Sequence, residues 1–148
     1  MKLQFDDFGN LFPYKIIEIS LDDFEENFVF NEYRKQLFES YLQIIIDLKS
    51  IGIEHFTHWI NGSYTTLKFA PNDIDIVTLI DYRLYNTYEK ELLDLKKRYV
   101  GTLDFYFLID YPETHKNISR TQFDKTEWRF LFSTDRRKKS KGFISINF

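Results

Sequence analysis

Apolar residues recur along this chain with two different periods. Tyr33, Leu37, Phe38, Tyr41, Leu42, Ile45 and Leu48 return at intervals that place them on one side of a helix. Asn31 precedes the run as an N-cap candidate, and Gly52 follows it as a C-terminal stop. Arg34 and Lys35 are expected on its solvated face. A shorter helix is predicted over Leu21–Phe28, where Ser20 can cap, Asp22 and Asp23 fill the first turn, and Phe24 and Phe28 stand one turn apart. A third should start at Asn86-Thr87, with Tyr88, Leu92, Leu95 and Tyr99 turned inward. Its charges, Glu89 to Arg98, would face water. A fourth is predicted over Thr121–Phe132, with Phe123, Trp128, Leu131 and Phe132 packing inward.

The other period is two. Thr102–Ile109 alternates, with Leu103, Phe105, Phe107 and Ile109 on one face and Thr102, Asp104, Tyr106 and Leu108 on the other. Ile74–Ile80 is β-branched and apolar throughout, as a central strand would be. Ile53–Ile60 and Gly142–Phe148 read as two further strands. Met1–Pro13 is expected to be an irregular lead-in, and Tyr111–Ser119 a polar loop. The expected fold is therefore α+β, a single domain over residues 1–148 in which a small mixed β-sheet carries helices packed on one face.

Composition narrows the function classes. The chain has no cysteine, which removes disulfides, zinc–thiolate sites and a thiol nucleophile. A net charge of −3 argues against a generally basic nucleic-acid binder. No apolar run could span a bilayer and Met1–Asn10 lacks a signal-peptide pattern, so a cytoplasmic protein with no membrane partner is expected. One basic cluster stands out, Arg136, Arg137, Lys138, Lys139 and Lys141. It reads either as a solvated hairpin or as a patch for phosphates, RNA or an acidic partner, with Arg136 the member to watch.

The chemistry concentrates in His58–Asp81. Asp73 and Asp75, two apart at the mouth of a strand, point to the same face. Two such carboxylates repel each other unless a cation intervenes, and Mg²⁺ is bound by one or two carboxylates together with water and phosphate oxygens. Gly62 admits a close backbone approach, and Ser63 adds a hydroxyl. Thr65, Thr66 and Lys68 follow as candidate phosphate contacts. Asp104 is an acid in a strand that otherwise looks buried, which is costly without a partner. Asp110, at the strand's end, is the fallback. His55 and His58 lie near the turn in sequence, but no third ligand stands at metal-binding spacing. Each feature alone is common turn or surface chemistry; their order between two apolar strands is what makes them specific.

Gly62-Ser63, nine residues, then Asp73-Ile74-Asp75 resembles the signature of the DNA polymerase β-type nucleotidyltransferase superfamily, most of all its small stand-alone members. The resemblance covers about Ile53 to Ile109. It implies that Gly62 and Ser63 hold a triphosphate; Thr65, Lys68 and Arg136 are candidate nucleotide contacts on their own chemistry, outside what the resemblance implies. It also implies that Asp73 and Asp75 bind Mg²⁺ or Mn²⁺, and that Asp104 is the third carboxylate. The implied activity is transfer of a nucleoside monophosphate, AMP foremost, from an NTP to a protein or RNA hydroxyl, as in toxin–antitoxin or phage-defence pairs. A partner protein would serve as acceptor or supply specificity. The connection Tyr64–Asn72 departs from the pattern in carrying only one basic residue, Lys68. The alternatives are a non-catalytic, antitoxin-like interaction module of the same fold and a nucleotide sensor.

Overall fold

A computed structural model describes residues 1–148. A five-stranded mixed sheet runs through the molecule, built from β3 (Ile16–Glu18), β4 (Thr57–Asn61), β5 (Ile74–Asp81), β6 (Leu103–Asp110) and β7 (Phe143–Asn147). Its order is β3-β7-β4-β5-β6. β4 pairs antiparallel with both β5 and β7, while β5–β6 and β3–β7 are parallel. β5 and β6 are joined by α3 (Tyr82–Arg98), the helical crossover that a parallel pair requires.

Strand periodicity divides the core in two. Ile60, Ile74, Ile76, Ile80, Leu103, Phe105, Ile144 and Ile146 face α1 (Leu21–Phe28), α2 (Glu32–Ile51) and α3 in the main core. Trp59, Val77, Leu79, Leu108 and Phe143 face the opposite way, where Phe132 of α4 (Ile118–Phe132) packs on them. The α+β sheet with packed helices is as expected, and α4 adds a layer on the second face.

Local signals set the start of α1 and both ends of α2. Ser20 accepts from Asp23 N while the Asp23 side chain returns to Ser20, closing a capping box on α1. The Asn31 side chain accepts from Arg34 N, and Gly52 ends α2 at φ +121°.

Several expectations need correction. Met1–Pro13 is not irregular: β1 (Gln4–Phe5) and β2 (Leu11–Phe12) pair antiparallel. The strand expected over Ile53–Ile60 is the shorter, shifted β4. α3 begins at Tyr82, not Asn86, because Asp81 at the end of β5 caps it by accepting from Arg83 N. The irregularity near Asn86-Thr87 survives as a kink at Tyr88 (φ −113°, ψ 19°). In α4, Trp128 and Phe132 turn inward, but Phe123 and Leu131 are exposed. The buried stripe also uses Thr121, whose hydroxyl donates to Ile109 O and accepts from Tyr111 N.

Arg34 is the largest correction. It is fully buried rather than solvated. Its guanidinium donates to the carbonyls of Phe28, Tyr64, Thr66 and Lys68 at 2.6–3.1 Å and lies 4.2 Å from the Phe30 ring centroid and 4.9 Å from that of Tyr64. One side chain thus fixes the backbone of the segment after Gly62. Burial lowers its pKa to about 10, so it stays cationic at neutral pH.

Candidate metal–nucleotide site

The three acids meet. Asp75 on β5 is in register with Asp104 on β6, and Asp73 stands just ahead of β5. Adjacent strands run about 4.8 Å apart, so same-face residues in register are close neighbours. All three are half-buried and line one cleft of about 990 Å³. Burial first, then the charges of Asp73 and Asp104, push the Asp75 carboxyl up to about 7, and its protonated form shares a hydrogen bond with Asp104. Asp73 is raised as well, by burial and then Asp104, with Arg136 and Lys68 pulling the other way. Asp104 accepts from the Tyr106 hydroxyl at 3.0 Å, and burial followed by that bond raises Tyr106 to about 12. The carboxylates are not gathered into a ready-made metal-ligand cluster.

Gly62 is pressed against this group. It adopts φ +79°, and a Cβ there would lie 2.8 Å from Asp75 Cγ and overlap the carboxylate itself. No residue with a side chain fits both the backbone conformation and that gap. Ser63 opens a 3-10 turn over Ser63–Thr65 and lines the cleft with Gly62.

Other sequence candidates separate. Lys68 and Arg136 line the cleft. Thr65 does not: it is buried behind the turn and its hydroxyl donates to Gly62 O at 3.2 Å, while its neighbour Thr66 reaches the lining. Asp110 ends β6 away from the trio, with Lys125 3.9 Å from it. His58 lies on the helix side of the sheet, hydrogen-bonded to the Tyr41 hydroxyl at 2.9 Å, and burial pushes it down to about 3. His55 is exposed near Phe148 O. Neither histidine joins the acids.

The comparison with known families adds one finding. A family described as of unknown function, DUF6932, matches residues 3–147. The chain belongs to that family. No curated protein and no solved structure matches it.

Three features of this DUF6932 chain's cleft are not signalled by any motif. The first is a wall made by Asp6–Asn10 between β1 and β2. Asn10 ties it to the basic hairpin by donating to Asp135 Oδ2 at 3.0 Å. Asp135 also accepts from the Arg137 side chain and from the Arg137 and Lys139 backbone, which holds it well below the usual carboxylate range. Arg137 and Lys139 lie over the Phe8 ring. The second is Lys141, which leaves the exposed basic run and is buried in the cleft, its pKa lowered by burial against the pull of Asp75 and Asp135. Its position just before the alternating Gly142–Phe148 segment was the available signal. The third is Asn61, opposite Asp75 on β4. Its strand face could be read from alternation, but its lack of a partner could not.

No helix is long and apolar enough to cross a membrane.

Proposed function

We propose that this protein is a metal-dependent nucleotidyltransferase that moves a nucleoside monophosphate, AMP foremost, from an NTP to a hydroxyl on a protein or RNA acceptor. The observation that supports this reading is the meeting of Asp73, Asp75 and Asp104 beside a glycine packed against one of their carboxylates. The donor set suits a hard cation: carboxylate oxygens whose burial and mutual repulsion hold Asp75 near 7 are relieved by Mg²⁺ or Mn²⁺. Asp73, Asp75 and Asp104 would hold it, and when bound it would neutralise charge developing on the transferred phosphoryl group.

The chain's own groups divide the remaining work. Gly62 and Ser63, with Lys68 and Arg136, orient the triphosphate. Thr65 keeps the turn in shape from behind through its bond to Gly62 O. The acceptor oxygen attacks the α-phosphorus, the α–β bridging bond breaks, and pyrophosphate leaves. Asp104 takes the acceptor's proton, oriented by the Tyr106 hydroxyl.

The test is transfer of label from α-labelled ATP to a cellular acceptor in the presence of Mg²⁺. Loss of transfer in Asp73→Asn and Asp75→Asn is expected; label that persists in the double variant refutes the reading. One observation favours a second reading, an antitoxin-like interaction module: Phe123 and Phe130, seven residues apart on α4, are 65% and 74% exposed on one outward face. A co-purifying partner together with no nucleotide binding would support it.

A further inference from the structure

Two polar side chains in the cleft are buried with no hydrogen bond or ion pair to the protein, although Asp75 and Asp135 attract the Lys141 ammonium from farther off. Lys141 is only 6% exposed, and none of the molecule's five ion pairs includes it. A lysine this buried is ordinarily paired. Asn61 is 4% exposed, and its carboxamide oxygen is sealed from solvent with no hydrogen-bond donor. Unmade bonds of this kind cost stability in the free protein and are retained where a ligand completes them.

Their placement is informative. β4 lies between β5 and β7, so Asn61 pairs with Asp75 on one side and on the other borders the start of β7, which Lys141 precedes by two residues. The Gly62-Ser63 turn follows Asn61 directly. The cleft therefore has an acidic end at Asp73, Asp75 and Asp104 and a buried cationic position beyond Asn61. Lys68 and Arg136, by contrast, are exposed on its rim.

We propose that Asn61 and Lys141 form the anchoring subsite for the terminal phosphates of a polyphosphate ligand, with Lys68 and Arg136 secondary. A linear anion reaching from the acid trio to Lys141 would meet a metal at one end and an ammonium at the other. A buried ammonium contributes far more than one on the wet rim, where water and salt screen it. This rests on the nucleotide reading above, and it assigns the phosphate anchor to residues that reading did not use.

The test is calorimetric titration of the full chain with Mg²⁺ and inorganic tripolyphosphate, and separately with Mg²⁺ and ATP. Lys141→Met and Asn61→Ala are compared with Lys68→Ala and Arg136→Ala. Expected is a loss of about tenfold or more in affinity for both ligands in the first pair, and less than about threefold in the second. Binding lost through Lys68 or Arg136 instead overturns this assignment and leaves the nucleotide reading standing. No binding of either ligand by the native chain overturns both. Because the Asn61 carboxamide oxygen has no donor in the protein, Asn61→Ala should melt at or near the native temperature, whereas Lys141→Met also removes an ammonium that Asp75 and Asp135 attract and is read by affinity alone. A fall of more than about 5 °C in Asn61→Ala would show that the fold itself uses that group and would overturn the inference.

Discussion

Asp75→Asn should make the protein more stable, while on the proposed nucleotidyltransferase reading it abolishes transfer. The Asp75 carboxyl titrates at about 7 in the fold against an ordinary value of 3.8, raised by burial and by Asp73 and Asp104. The folded state thus keeps a proton that the unfolded chain has already lost between about pH 4 and 7. Stability therefore falls as pH rises through that window and levels off above it. The gap of roughly three pH units corresponds to about 4 kcal/mol once both states are ionised, at about 1.4 kcal/mol per unit. The side chain is only half-buried and faces a wet cleft, so about half of that, ~2 kcal/mol, is the figure to test. Asparagine keeps the shape and removes the charge. At pH 8 the variant should gain about 2 kcal/mol, or roughly 6 °C in melting temperature for a chain of this size. At pH 5 the gain should shrink to under about 1 kcal/mol, because the native carboxyl is protonated there in the fold. Added Mg²⁺ should raise the native melting temperature at pH 8 and leave the variant almost unmoved. Thermal melts at the two pH values, with and without Mg²⁺, decide the matter. A variant less stable than the native chain at pH 8, or an equal gain at both pH values, would refute the electrostatic reasoning.

Arg34→Met should cost about 3 kcal/mol or more, because it leaves the buried carbonyls of Phe28 and Tyr64 and the part-buried carbonyls of Thr66 and Lys68 short of donors; chemical denaturation measures it, and a loss under about 1 kcal/mol would contradict the anchoring role. Gly62→Ala meets both a φ of +79° and the Asp75 side chain, so a loss of about 1–3 kcal/mol and of label transfer is expected, whereas unchanged transfer would show that the turn need not sit against Asp75.

Much of this protein was legible along the chain because the relevant physics is local. Helical stripes and caps fixed α1 and α2, and alternation put Asp75 and Asp104 on faces that strand pairing could bring together. What pairing decided was register: one residue of slip between β5 and β6 would turn Asp104 away from Asp75, and nothing in either strand alone forbids it. The same limit explains the errors. Arg34 looks solvated by helical position, yet three of its four carbonyl partners belong to a segment 30–34 residues away, and Lys141 looks like one more charge in a basic run. Phe123 and Leu131 have core-like chemistry, but α4 covers the sheet through a different stripe. Burial and partnership are properties of the packed whole: the sequence specifies which groups can pay for a buried position, and only the assembled sheet, with Asp6–Asn10 closing over one end of it, selects which of them occupy one.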